Sequence, residues 1–236
     1  MYFHKKNSFS HGIMFHHFHD NKVHRKSHGS ISKNQLYNII KFIGKKNILN
    51  ADDFFIRHKE KKLKKNHVCL TFDDGIKSQY DIALPLLEEL KIKAFFFIYT
   101  SIFTGKSDLM EVYRFFRIHY FKNINDFYKY FFLTLDKNFN DYFNKNKKLI
   151  KKIKNKFPFY TMSDIKFRLT RDKLLKRSDY DKIMIKIMKE KNFEYKKIYK
   201  NLFIDKKNLI DIKNLGHLVG LHSHSHPTLL ENLSYK

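Results

Sequence analysis

The sequence predicts an α/β fold built on parallel strands, and three observations predict it. Two apolar runs without alternation, 67–72 and 94–99, flank a stretch of helical spacing that opens at Pro85. Strand, helix and strand in that order make a βαβ unit, and strands buried on both faces read as continuous apolar runs. The two segments richest in chemistry-bearing side chains, Thr71-Phe72-Asp73-Asp74-Gly75 and His222-Ser223-His224-Ser225-His226-Pro227, each follow directly on a predicted strand. The C-terminal ends of parallel strands are where α/β barrels and open α/β sheets carry their sites.

The elements follow in order. Gly12-Ile13-Met14-Phe15-His16-His17 reads as a short first strand. Ser30-Ile31-Ser32 then precedes Leu36, Ile39, Ile40 and Ile43 at helical spacing, which predicts a capped helix ending at Gly44. His67-Val68-Cys69-Leu70-Thr71-Phe72 predicts a buried strand, and the next helix starts at Pro85, whose fixed φ suits a first helical turn, and runs through Leu86, Leu87 and Leu90. Ala94-Phe95-Phe96-Phe97-Ile98-Tyr99 predicts another buried strand, joined to the preceding one by a right-handed crossover.

From about Gly105 to about Phe203 the pattern changes to lysine-rich and aromatic-rich stretches with helical periodicity. Ser178 and Asp181 resemble a capping box ahead of Met184, Ile187 and Met188. Leu209, Ile212 and Leu215, closed by Gly216, predict one more helix, and Leu218-Val219-Gly220-Leu221 a strand that leads into the histidines. The expected organisation is therefore 1–104 as the first part of the α/β domain, 105–204 as a mostly helical insertion, and 205–236 as the continuation carrying the second motif.

A chain of 236 residues is long enough to bury a full core. Its net charge of +25 and pI near 9.9 fit nucleic acid or an anionic surface as partner. Abundant Lys, Asn, Ile, Phe and Tyr with no Trp also follow from an AT-rich coding sequence, and this explanation ranks first. The basic residues are spread along the chain and no nucleic-acid-binding signature accompanies them, so nucleic acid is not an expected partner, whereas a peripheral membrane contact fits the charge. The single cysteine, Cys69, lies in an apolar run and reads as a buried structural thiol. His16, His17, His19 and Asp20 interrupt the sole candidate for a secretory h-region, and no apolar stretch is long enough to span a bilayer, so the expected location is cytoplasmic.

The chemistry of the motifs is that of a hydrolytic metal site. Neighbouring side chains on a strand face opposite ways, so Asp73 and Asp74 reach one pocket only if the backbone turns, which Gly75 permits. A carboxylate on a cation stays ionised while a second one beside it accepts a proton from water, which divides such a pair into ligand and base. Pro227 and Gly220 disfavour a helix through the histidines. In an extended segment His222, His224 and His226 share a face, and spacing alone does not choose among them. Set against this are a solvated Asp-Asp-Gly turn and an incidental histidine patch, which rank lower once the two motifs are taken together.

The residues 71–75 match the first motif of the polysaccharide deacetylases, the NodB-homology domain of carbohydrate esterase family 4. Residues 216–227 resemble that family's second motif, two histidines separated by three residues after a Gly-containing strand, and Met14-Phe15-His16-His17 is similar to its first strand. The resemblance covers roughly the first hundred residues and the last thirty. It implies a distorted, partly open (β/α) barrel and metal-dependent removal of an acetyl group from an N-acetylated sugar; with no secretory signal expected, a cytoplasmic glycan precursor fits better than an assembled cell wall. It implies Asp73 as general base and Asp74, His222 and His226 as ligands of a divalent metal, most often Zn2+. Ser223 would hold the second motif's loop, and His224 occupies a variable position.

The departures from the family pattern shape the remaining expectations. The family continues with later motifs, including an Arg-containing loop, an Asp-Trp-type segment and a histidine acting as general acid, whereas this sequence ends at Lys236 and has no Trp. A C-terminally truncated member, or a divergent one that draws its acid from elsewhere, is therefore expected. His16 and His17 are the candidates near the site to replace the acid, although a structural or substrate-contact role ranks first for each. The rival reading is a catalytically inactive deacetylase-like chain that binds an anionic polymer or membrane surface. A third keeps hydrolysis and changes the C–N bond attacked.

Overall fold

The structure is a computed structural model that describes residues 9–20, 22–104 and 109–225. The chain divides into two compact units, Met1–Asp108 together with Ile198–Lys236, and Leu109–Lys197. The first unit holds a parallel four-stranded sheet in the order β1 (His11–Phe15), β2 (Val68–Asp73), β3 (Phe95–Ile98) and β4 (Leu218–Leu221). The expected α/β class with parallel strands is thus observed, in four strands that follow chain order.

Local sequence explains each element. Helix α1 (Lys33–Ile43) begins at Ser32, whose hydroxyl accepts the Gln35 N–H while the Gln35 side chain accepts the Ser32 N–H, and it ends at Gly44. Helix α2 (Ala51–Lys59), absent from the elements expected above, starts after Asn50; that side chain accepts the Lys93 N–H at 2.8 Å instead of capping its own helix. Residues 79–83 form a π-turn that runs into α3 (Leu84–Glu89), with Pro85 in its first turn as expected. Helix α11 (Lys206–Asn214), set up by a reciprocal Asp205 and Asn208 cap, leads through Gly216 into β4.

The core lies against the sheet. Phe72 of β2 and Phe96 of β3, both essentially unexposed, stack at 4.9 Å, and Phe15 stacks on Phe72 at 5.5 Å. Leu36 and Ile40 of α1, Leu86 and Leu87 of α3 and Ile212 of α11 close over them. Strand β2 is buried on both faces apart from half-buried Thr71, but β3 alternates, contrary to expectation: Phe96 and Ile98 are buried whereas Phe95 and Phe97 are half-buried. Phe95 and Phe97 stack on each other at 5.7 Å, and the ring of Phe97 covers Gly220 so closely that a Cβ there would stand 2.7 Å from two ring carbons. Strand β1 ends at Phe15 rather than His17, because its pairing with β2 stops at Phe15 and Phe72, just before the β2 chain turns.

The second unit is helical. It contains α4 (Met110–His119), α5 (Ile124–Thr134), α6 (Asn140–Lys145), α7 (Lys147–Lys156), α8 (Met162–Leu169) and α9 (Arg177–Glu190), and α10 (Tyr195–Leu202) follows at its boundary. Its interior is aromatic, with Phe131 edge-on to Phe167 at 5.0 Å and Tyr113 edge-on to Tyr180 at 5.5 Å. The expected capping box at Ser178 is not formed: Ser178 lies inside α9, and Asp181 accepts from Arg177 Nε at 2.9 Å and from the Tyr113 hydroxyl at 2.9 Å. A charge-assisted bond to an arginine one turn back outcompetes a backbone amide for that carboxylate. Among the described residues no helix is long and apolar enough to cross a membrane.

Candidate active site at the strand ends

The turn at the end of β2 is the first feature of the site. Asp74 and Gly75 take φ of +77° and +62°, so the chain leaves the strand through two consecutive left-handed residues. Asp tolerates that region better than most residues, and Gly adopts it freely. Gly75 is required for a second reason, since a Cβ there would lie 3.2–3.3 Å from Ile98 and Ile102. The Asp74 N–H donates to the Phe97 carbonyl at 3.0 Å, fixing the turn to β3. Both aspartates are buried, Asp73 at 6% exposure and Asp74 at 4%.

The second motif is held to the same strand end. The His222 N–H donates to the Ile98 carbonyl at 2.9 Å, while the Thr100 and Ser101 N–H groups donate to the Ser223 and His224 carbonyls at 3.2 and 3.0 Å. Ser223 takes φ of +67°. The strand alternation assumed for His222, His224 and His226 therefore breaks at Ser223, and the histidines part. His222 Nε2 stands 3.5 Å from Asp74 Oδ1, whereas His224 Nδ1 is 2.8 Å from the Thr100 hydroxyl. His226 lies outside the described residues. Ser223, expected to hold this loop, does so through its backbone carbonyl.

From the other side His16, just past β1, places Nε2 3.7 Å from Asp74 Oδ2. The Asp74 carboxylate is thus approached by an imidazole at each oxygen. Asp74 and His222, two of the three predicted ligands, come together with Asp73 adjacent in the chain, and His16 joins them. Among the described residues no group of three or more His, Cys, Asp and Glu side chains is arranged to hold a metal ion. A buried carboxylate beside an imidazole is nonetheless the donor chemistry of a divalent-cation site, and His226 is the predicted ligand that would complete it.

Sequence reasoning missed Gln79. Its side chain is fully buried in the π-turn, and its amide donates to the His16 carbonyl at 2.8 Å and to the Asp73 carbonyl, tying the end of β1 to the end of β2. No motif marks it, but its position four residues past Gly75 in a π-turn is the kind of irregularity that occurs at functional sites. Away from the site, Cys69 is buried as expected, and burial pushes its thiol up to about 11, which keeps it an unreactive thiol.

Comparison with known proteins bears on the first motif. Residues 60–163 match the model of the family described as polysaccharide deacetylase. The match contains 71–75 and runs on into the helical unit, beyond the span over which the motifs alone carried the resemblance; it does not reach His222. No curated protein matches. Among solved structures the chain is similar to a de-N-acetylase from Aggregatibacter actinomycetemcomitans (20% identity, TM-score 0.34, covering 40% of this chain and 39% of that one). It is also similar to IcaB from Ammonifex degensii (21%, 0.35, 42% and 41%). A third is the Streptococcus pyogenes deacetylase PplD in complex with acetate (18%, 0.32, 40% and 44%). The chain spans about two fifths of the length of these structures. Over residues 60–163, then, the chain is similar to the polysaccharide deacetylase family.

Proposed function

We propose that this chain is a metal-dependent hydrolase that removes the acetyl group from an N-acetylated sugar or glycan precursor, and that its four strands belong to a partly open (β/α) barrel. The observation that carries the reading is the placement of His222 and His16 at 3.5 and 3.7 Å from the two oxygens of buried Asp74, at the C-terminal ends of β4, β1 and β2 of one parallel sheet. The family match at the first motif supports it.

In this reading Asp74, His222 and His226 hold a divalent cation, with Zn2+ the best fit to a carboxylate and imidazole donor set. When bound, such a cation supplies Lewis-acid polarisation of the acetamide and of a water molecule. Asp73 accepts the proton of the attacking water at its carboxylate, as a general base adjacent to the ligand carboxylate. His16, held by the neighbouring backbone through Gln79, contacts Asp74 and orients it. One water and one amide are consumed, and acetate and a free amine are formed.

The test is acetate release from N-acetylated oligosaccharides, with and without added Zn2+. Asp73→Asn is expected to lower turnover by about 10²-fold or more. His222→Ala is expected to abolish activity, while His224→Ala, whose ring serves Thr100, retains it. Full activity in Asp73→Asn would remove the assigned base. Absence of turnover with salt-sensitive retention on an anionic polymer would favour the non-catalytic reading.

A further inference from the structure

The helical unit Leu109–Lys197 contains an arginine cluster that the deacetylase reading does not use. Arg117 of α4 lies over the ring of Phe127 at 5.5 Å and over that of Phe167 at 5.1 Å, and Arg171 lies over Phe167 at 5.8 Å. Arg168 stacks over Tyr160 at 4.3 Å. The carboxylates facing this cluster already serve other groups. Arg171 is bidentate to Asp172, Arg177 is bonded to Asp181, Arg114 stands 3.8 Å from Glu111, and Asp164 accepts the Tyr128 hydroxyl. Arg117 differs, since its Nε donates to the Tyr113 backbone carbonyl at 3.3 Å and no carboxylate pairs with it among the described residues.

A second observation points to the same place. Tyr180 of α9 is 0% exposed, and its hydroxyl has no hydrogen-bond partner. Its ring lies 5.5 Å from that of Tyr113, whose carbonyl accepts from Arg117, and 6.3 Å from that of Phe167, over which Arg117 and Arg171 both lie. A buried donor without an acceptor is costly, and a half-buried cation beside other cations is unfavourable as well. Burial is the main cause that lowers the proton affinity of Arg117; Tyr180 and Tyr128 oppose it, while Arg171 and Arg168 add to it. One group relieves both costs, because an oxyanion accepts from a hydroxyl and from the free edge of a guanidinium at once.

We propose that the helical unit binds a phosphate group, free or as a phosphomonoester, between the Arg117 guanidinium and the Tyr180 hydroxyl, with Arg171 and Arg168 contributing positive potential. This assignment is independent of the chemistry at Asp73 and Asp74. The test uses the full chain at constant ionic strength set with chloride, titrated separately with inorganic phosphate and with a sugar 1-phosphate, and read by thermal melting and equilibrium dialysis. A saturable rise in melting temperature is expected, abolished by Arg117→Gln and shifted to roughly tenfold weaker affinity by Tyr180→Phe. Tighter binding of the sugar 1-phosphate assigns the site to a phosphorylated saccharide, and equal binding assigns it to free phosphate. In phosphate-free buffer Arg117→Met should melt no lower than the parent, because an uncompensated charge has been removed. No saturable shift with either anion, or the same shift in Arg117→Gln as in the parent, would overturn the proposal. Melting of Arg117→Met well below the parent without phosphate would also overturn it, by making the guanidinium a structural cation of the aromatic core.

Discussion

Gly75→Ala tests whether the turn at the end of β2 is built as described, and Gly29→Ala supplies its control. Both glycines have left-handed backbones, with φ of +62° at Gly75 and +80° at Gly29. They differ in surroundings, for an added Cβ meets nothing within 4 Å at Gly29 but meets Ile98 and Ile102 at 3.2–3.3 Å at Gly75. Backbone strain of an L-residue in this region costs about 1–2 kcal/mol, and the smaller entropy of the unfolded alanine chain returns roughly 0.4–1 kcal/mol. Gly29→Ala is therefore expected to cost about 1 kcal/mol. At Gly75 a packing term of about 1–3 kcal/mol is added, because Ile98 and Ile102 are buried core residues with little room to withdraw. Gly75→Ala should thus cost about 2–4 kcal/mol. Urea unfolding of both variants, with unchanged m-values, measures the difference directly. Equal destabilisation of the two would show that Gly75 is not wedged against β3, and the placement of Asp73 and Asp74 derived from that turn would fall with it.

Other outcomes follow from named contacts. Gly220→Ala should cost about 1–3 kcal/mol, since its Cβ would stand 2.7 Å from two carbons of the Phe97 ring, and Phe97→Leu in the same background should recover part of that loss in an unfolding titration. Cys69 should resist alkylation at pH 8 in the native protein and react fully after denaturation, because burial holds its thiol at about 11. His217 and Glu88 should make the fold acid-sensitive. The Ala94 N–H donates to His217 Nδ1 at 3.0 Å, so Nε2 carries the proton facing Glu88 Oε1 at 2.9 Å. Burial lowers the His217 pKa from its ordinary 6.5 more than the Glu88 bond and charge raise it, and Lys93 adds to the lowering. Burial would raise Glu88, but bonds and charges from Lys93 and His217 outweigh it and bring it below its ordinary 4.5. In both cases the unfolded chain binds more protons across the window between the two values, so stability is complete above about 6.5 and falls as pH drops, first through His217 and then through Glu88. Melting temperature against pH should therefore decline more steeply between pH 6.5 and 4 in the parent than in His217→Gln; parallel profiles would refute the assignment.

What the sequence disclosed depends on which physical signal carried it. Strand β2 and helix α1 are legible because burial on both faces leaves a continuous apolar run and because Ser32 and Gln35 form a local cap. Asp73 and Asp74 are legible for the same local reason, since the glycine after them announces a turn. Helix α2 was missed because its cap residue Asn50 is spent on the Lys93 amide, a partner more than forty positions away. The apparent capping box at Ser178 failed for the converse reason, with Arg177 and Tyr113 claiming the Asp181 carboxylate. Gln79 bears no local signal, because its role is to satisfy two carbonyls that only the folded sheet brings near each other.

The choice among the histidines shows where pattern reasoning ends. Alternation put His222 and His224 on one face, but alternation presumes extended backbone, and Ser223 is left-handed. What sets that residue is the backbone of β3 and the turn after it: Phe97 and Ile98 offer carbonyls to Asp74 and His222, and Thr100 and Ser101 offer amides to Ser223 and His224. A stretch with no chemistry of its own thus aligns the carboxylates with the imidazole, and side-chain substitutions there that preserve the backbone should leave the alignment intact. A backbone change should not. Ser101→Pro removes the N–H that holds the His224 carbonyl, in a turn that follows β3 directly. It should release the second motif and abolish acetate release even though Asp73, Asp74 and His222 are all present, whereas Ser101→Ala keeps the amide and should keep activity. Equal activity in the two variants would mean that the histidine loop finds its place without β3.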